Sequence, residues 1–176
     1  MNASTSYFTD FYQGLPYLLQ SIGYQFSSVE LLKRALTHRS YDSKNSYERL
    51  EFLGDALLGM VVAKALFHQY PNYDEGKLTR ATLVRQETLV EIAQDLQLFN
   101  HVILGIGEQK GGGRHRASIL ADCVEAIIGA MSLDQGLAVT TQVIRNWYQQ
   151  LLAEIKPGDN QKDAKTRLQE YLQGKH

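Results

Sequence analysis

The sequence predicts an all-α domain, and three observations carry that prediction. Helix-forming Leu, Ala, Glu, Gln and Lys dominate, and only 3 prolines occur, at Pro16, Pro71 and Pro157. Apolar residues recur at helical spacing, with no period-two run of useful length. Breakers fall where that periodicity lapses, at Gly23, Pro71 and Gly111 to Gly113.

Taken in order, a first helix is expected over Phe11–Ile22, closed by Gly23. Ser27 or Ser28 is placed to cap a second helix, with Glu30 in its first turn and Leu31, Leu32, Ala35 and Leu36 on one face. His38–Asn45 reads as a loop. A long helix then runs from Ser46 or Tyr47 to Tyr70, where Pro71 stops it. A single helix from Gly76 or Leu78 to Leu96 follows, carrying Leu83, Val84, Leu89, Val90 and Ile92. Gly105–Arg116 reads as a glycine-rich loop. Helices over Ala117–Leu133 and Leu137–Ile155 complete the domain, with Trp147 and Tyr148 expected in the core. Pro157–Asn160 breaks the pattern like a linker, and Asp163–Gln173 forms a short amphipathic helix with no further element to pack on.

Composition narrows the class. The chain has 176 residues, 44% hydrophobic and 21% charged, which fits a soluble globular domain and excludes a disordered chain. Its 1 cysteine, Cys123, excludes an internal disulfide framework and points to a reducing, cytoplasmic setting. The polar start, Met1–Asp10, does not read as a signal peptide, and no stretch of about 18 apolar residues would span a membrane. Lys and Arg number 18 against 19 Asp and Glu, so the chain lacks the basic excess usual in nucleic-acid binders. A nucleic-acid function must then rest on local patterning, or on a basic part missing from this chain.

That patterning is acidic first. In Glu48-Arg49-Leu50-Glu51-Phe52-Leu53-Gly54-Asp55, helical geometry places Glu48, Glu51 and Asp55 within an arc of about 60°. Leu50, Leu53, Leu57, Met60 and Val61 fall on the opposite side, expected as the core face. Further on, Leu58 and Val62 fall on the acidic side, so the second half of this helix is expected to be buried nearly all round, with Lys64 reaching outward. Like charges one turn apart cost a few tenths of a kcal/mol per pair, so a cation is expected on the stripe. A second pair, Asp122 and Glu125, sits among Ile119, Leu120, Val124, Ile127, Ile128 and Met131. Unpartnered carboxylates in such surroundings are costly. The spacing of the first set also occurs on ordinary solvated helices; the pair inside an apolar helix is the more specific signal.

Two carboxylate-bearing helices that meet offer an all-oxygen site suited to Mg²⁺ or Mn²⁺, while too few Cys and His residues lie near for zinc. Without the nucleotide-binding pattern G-x-x-x-x-G-K-[ST], the chemistry expected is phosphodiester hydrolysis by water activated at the ion. A di-iron carboxylate site would want Glu-x-x-His pairs, and neither Glu48, Glu51 nor Glu125 has His three residues on.

At these residues the chain resembles the bacterial ribonuclease III family. ERLEFLGD at Glu48–Asp55 is similar to that family's signature. THRS (Thr37–Ser40) precedes it, and DEG (Asp74–Gly76), RATLVR (Arg80–Arg85) and SILADCVEAIIGA (Ser118–Ala130) follow in the family's order. The resemblance runs from about Gly23 to the end of the sequence. It implies a helical endonuclease domain acting as a homodimer on double-stranded RNA with Mg²⁺. It implies Glu51, Asp55, Asp122 and Glu125 as metal ligands, with Asp55 and Glu125 also counted as catalytic, Glu48 and Glu75 as supporting acids of the same cleft, and Phe52 as a contact inserted into the partner subunit. Products with 5′-phosphate and 3′-hydroxyl ends, a two-nucleotide 3′ overhang, and roles in rRNA and mRNA processing are implied with it. A non-catalytic double-stranded-RNA-binding scaffold of the same fold is the alternative, and such a protein would be expected to lose acids from the cleft. Two departures stand out. The stretch Gly76–Arg80 is shorter than the usual bacterial pattern, and Ala56 stands where the signature often continues with Ser.

Lys162–His176 resembles the opening helix of a double-stranded-RNA-binding domain. The expected division is a nuclease domain over 1–156, then a linker and partial first helix over 157–176, as in a truncated form. Lys110, Arg114 and Arg116, beside Gly111–Gly113, are expected to meet RNA phosphates.

Overall fold

The computed structural model describes residues 3–82 and 85–149, with side chains over 11–79 and 88–149. The described residues are helical, with no strand among them. The chain runs through α1 (Ala3–Ile22), α2 (Val29–Ala35), α3 (Glu48–Gln69), α4 (Glu75–Thr82), α5 (Arg85–Asp95), α6 (Ile106–Lys110), α7 (Ala117–Gln135) and α8 (Leu137–Trp147).

The centre is α7, whose apolar sequence is buried nearly all round. Ile119, Leu120, Val124, Ile127, Ile128 and Met131 are all in the core. Around it pack α2, α3, α5 and α8. The longest contact is with α3, and glycines set its closeness. A Cβ on Gly54 would overlap the carbonyl oxygen of Glu125, and a Cβ on Gly129 would overlap that of Leu50. Only a residue without a side chain lets the two backbones approach this far.

That approach reorients α3. Its buried residues are Leu50, Gly54, Leu58, Val61, Val62 and Leu66, which span an arc of about 160° centred well toward the acidic side. The expected core face is corrected accordingly: Leu53 and Leu57 are half-buried and Met60 is exposed. The second half of α3 is not buried all round either. Met60, Ala63 and Phe67 are exposed there, together with Lys64, which does reach outward as expected. With Phe52 and Ala56 they leave an apolar stripe facing away from α7.

Other expectations shift in detail. Helix α1 extends farther back than Phe11, and Gly23 closes it with a positive φ of 71°. Ser28 takes the N-cap position of α2, but its hydroxyl makes no capping bond. The carboxylate of Asp134, from the far end of α7, accepts from the Ser27 and Ser28 backbone N–H groups at 2.8 and 2.9 Å and from the Tyr24 hydroxyl at 2.8 Å. The single helix expected over 76–96 is described as α4 and α5, with 83–84 outside the described residues. The glycine-rich segment is no open loop: it contains α6 and a 3-10 turn at Gly113–His115. Tyr148 is buried and Trp147 half-buried, donating from Nε1 to the Ile22 carbonyl at 3.2 Å. Helix α8 is described to Trp147. The expected continuation to Ile155, the linker and the last helix lie outside the described residues.

Between α2 and α3 the chain is tied back to the core. Thr37 forms an isolated parallel bridge with Ile103. Around it Ile103 N–H donates to Leu36, His38 N–H to Ile103 and Tyr47 N–H to Thr37, at 2.8, 2.9 and 2.8 Å. This tie fixes where α3 begins, and so where its acids emerge.

Candidate metal centre

Glu51 leaves α3 one turn before Gly54. Asp122 and Glu125 leave α7 just before the point at which Gly54 meets it. The glycine crossing therefore delivers acids from both helices to one place. One carboxylate oxygen from each of Glu51, Asp122 and Glu125 lies within 4.8 Å of the other two, and all three residues are half-buried. Of the acids singled out in the sequence, these three are brought together.

Glu51 sits within the buried arc of α3, not on a face opposite the core, which departs from the expected stripe. Burial raises the pKa of its carboxyl, and the charges of Asp122, Glu48 and Asp55 raise it further. Asp122 is likewise raised, chiefly by burial, although the Tyr47 hydroxyl and the charge of His38 pull it back. Among the described residues, neither acid has an ion pair that would hold it ionised at low cost. A hard divalent cation meeting three carboxylate oxygens would supply that partner, and the donor set fits Mg²⁺ or Mn²⁺.

The remaining expected acids stand around this group. Asp55 is exposed one turn beyond Glu51, near enough for its charge to act on it. Glu48 opens α3, 3.3 Å from the Arg39 guanidinium, and accepts from the Ser46 hydroxyl at 3.2 Å. Glu75 opens α4, is exposed, and accepts from the Thr79 hydroxyl at 3.2 Å. Neither Asp55, Glu48 nor Glu75 belongs to the 4.8 Å group.

Sequence reasoning passed over two neighbours. The Tyr47 hydroxyl donates to Asp122 Oδ2 at 3.1 Å, and its ring lies 5.7 Å from that of His38. Burial, then the nearby Cys123 thiol and Asp122 carboxylate, hold the Tyr47 phenol above its ordinary range, so it remains a donor. His38 Nδ1 accepts from the Ser40 N–H at 3.1 Å, which leaves Nε2 as its protonated nitrogen when neutral. The available signals were weak: an aromatic residue just before the acidic run, and single glycines inside two apolar helices.

The cations expected to meet phosphate are differently placed. Arg116 Nη1 lies 2.7 Å from Glu108 Oε1, and Arg114 donates to the Phe99 carbonyl at 3.1 Å. Lys110 is exposed at the end of α6. Phe52 projects from α3 and is 81% exposed. No described helix is long and apolar enough to cross a membrane.

A family profile described as Ribonuclease-III-like matches residues 28–152. The chain is 68% identical over 161 residues to Ribonuclease 3 of Haemophilus influenzae, covering 90% of this chain and 70% of that protein. It is 58% identical over 170 residues to Ribonuclease 3 of Psychrobacter arcticus, covering 95% and 64%. Among solved structures, the nuclease domain of ribonuclease III from Campylobacter jejuni aligns with a TM-score of 0.74 at 38% identity, covering 80% of this chain and 97% of that one. A second structure of that domain, described for flexibility in the region involved in its dimer formation, aligns at 0.73 and 39% identity.

Proposed function

Because the chain belongs to the ribonuclease III family, we propose that the cleft between α3 and α7 hydrolyses phosphodiester bonds of double-stranded RNA with a divalent cation held by Glu51, Asp122 and Glu125. The observation that carries this reading is the meeting of three half-buried carboxylates from two helices. Such a group is costly without a cation and suited to one with it. Bound there, Mg²⁺ would supply acidity to a water and neutralise charge growing on the phosphoryl oxygens.

The side chains divide the remaining work. Glu51, Asp122 and Glu125 bind, and because burial raises Glu51 and Asp122, protons compete with the cation for these two carboxylates as pH falls. Asp55, at the open edge, is the proposed fourth ligand. Glu48, held by Arg39 and Ser46, and Glu75, at the start of α4, are proposed supporting acids. Lys110, Arg114 and Arg116 are the proposed phosphate contacts. Lys110 has the clearest access, because the two arginines have partners inside the chain.

A homodimer through α3 completes the reading. The exposed stripe of Phe52, Ala56, Met60, Ala63 and Phe67 is apolar. A pocket of about 310 Å³ opens beside it, lined by Ala63, Leu66, Phe67, Leu78 and Thr79, and can receive an aromatic ring such as the partner's Phe52. A two-fold axis through this face would give one site per strand, with two-nucleotide 3′ overhangs and 5′-phosphate and 3′-hydroxyl ends. Duplex RNA would be read by its shape. The setting proposed is cytoplasmic rRNA and mRNA processing. The proposed division is a nuclease domain over 1–156, followed by a linker and the first helix of an RNA-binding domain over 157–176.

The test is a gel assay on a long RNA duplex. Cleavage is expected with Mg²⁺ or Mn²⁺ and none with EDTA, while single-stranded RNA of the same sequence survives. Cleavage that persists in EDTA would refute the reading.

A further inference from the structure

We propose that Tyr47 is a positioning residue for the cation site, joining the two helices that carry its ligands. The proposal deepens the metal-dependent reading above and rests on it. Tyr47 works from both ends. Its backbone carbonyl accepts from the Leu50 and Glu51 N–H groups at 2.8 and 2.9 Å, so it closes the first turn of α3 and sets where Glu51 leaves the helix. Its hydroxyl donates to Asp122 Oδ2 at 3.1 Å across to α7.

Tyr47 is itself held firmly. Its N–H donates to the Thr37 carbonyl at 2.8 Å, beside the Thr37–Ile103 bridge. The residue is 3% exposed and its ring lies against that of His38. His38 is anchored to Ser40, whose Oγ accepts from the Gly105 N–H at 2.9 Å. The segment is tight there: a Cβ on Gly105 would overlap the Ser40 carbonyl oxygen. A phenol fixed this way selects one orientation of the Asp122 carboxylate. It occupies Oδ2 and leaves Oδ1 without that bond. A bare cluster of three acids would spread its side chains apart; the Tyr47 bond keeps one of them facing the others. Loss of an outer partner of a ligand typically weakens metal binding about 10- to 100-fold.

The alternative role is packing alone, and Tyr47→Phe separates the two because it keeps the ring and removes only the hydroxyl. The experiment is calorimetric titration with Mn²⁺, without RNA, of the full chain and of its Tyr47→Phe, Asp122→Asn and doubly substituted forms. Tyr47→Phe is expected to weaken Mn²⁺ binding about tenfold, the lower end of that range. Its melting temperature should move by no more than about 2 °C. In the Asp122→Asn background the same substitution should change affinity less than about twofold, since the hydroxyl acts through Asp122. In cleavage assays Tyr47→Phe should raise the half-saturating Mg²⁺ concentration and recover most of its rate at saturating Mg²⁺. Equal Mn²⁺ affinity for Tyr47→Phe and the unsubstituted chain would overturn the proposal, as would an undiminished tenfold effect in the Asp122→Asn background. Failure of the unsubstituted chain to bind Mn²⁺ would overturn the metal-dependent reading along with it, so the two failures are distinguishable.

Discussion

The acidic crossing of α3 and α7 and the basic segment that leads into α7 handle charge in opposite ways. At the crossing, Glu51, Asp122 and Glu125 are packed toward one another, and burial, then the charges of Asp122, Glu48 and Asp55, raise Glu51. In the segment 105–116, charge is largely spent within the chain. Arg116 lies against Glu108, and Arg114 donates to the Phe99 carbonyl. One region keeps an electrostatic cost that a cation would relieve, while the other uses Arg114 and Arg116 to shape a turn. A density of charged residues therefore does not by itself mark a site. What marks it is charge that the fold gathers without neutralising.

The sharpest way to break this comparison is Glu125→Gln, which removes one ligand charge and preserves shape. Cleavage of duplex RNA should fall by about a hundredfold or more, the scale of several kcal/mol of charge stabilisation. Duplex binding by gel shift should change less than about twofold, because the acids repel phosphate and do not recruit it. Retained cleavage, or equal loss of binding and cleavage, would contradict the assignment.

Proton linkage gives a smaller effect with a definite sign. The ordinary pKa values are 4.5 for Glu51 and 3.8 for Asp122, and both are raised in the folded chain. The native state therefore holds protons that the unfolded state has already lost. Stability must fall as pH rises through the window above those ordinary values, and recover as pH is lowered into it. Urea melts without metal, taken from about pH 7 down to the ordinary values of 4.5 and 3.8, should show that these two acids contribute in this direction. Glu51→Gln should flatten the slope, and saturating Mg²⁺ should flatten or invert it. A slope unchanged by both would mean the acids are not coupled as described.

The smallest expected effect lies in the basic segment. Lys110→Ala should weaken duplex binding a few-fold and reduce the slope of log affinity against log salt by about 1. Arg114→Ala should change that slope less than Lys110→Ala and also lower the melting temperature, because its guanidinium serves the Phe99 carbonyl as well. A larger slope change for Arg114 than for Lys110 would reverse that ranking.

Much of this was legible in the sequence. The helix order follows from apolar periodicity and the positions of Gly23 and Pro71. Asp122 and Glu125 stand out because they interrupt an apolar helix, and Glu51 because it shares a narrow stripe with Glu48 and Asp55. The orientation of α3 did not follow from the same pattern. A helical wheel weighs large apolar side chains, and Gly54 has none, yet Gly54 marks the line along which α7 packs. The buried arc is turned toward Glu51 for that reason, and Phe52, Met60 and Phe67 are left outside. Tyr47 escaped notice because its role depends on Asp122, 75 residues away, and no local spacing encodes that contact. The basic run shows the converse. Three cations beside three glycines look alike in sequence, yet Arg114 and Arg116 have partners inside the chain while Lys110 is exposed, a difference that no local spacing encodes.

The most direct measurement is a crystal of the chain soaked in Mn²⁺, with an anomalous difference map collected above the manganese edge. A peak is expected about 2.0 to 2.3 Å from oxygens of Glu51, Asp122 and Glu125, at the hard-cation distances such ligands set. A peak elsewhere, with these three carboxylates uncoordinated at millimolar Mn²⁺, would contradict the account.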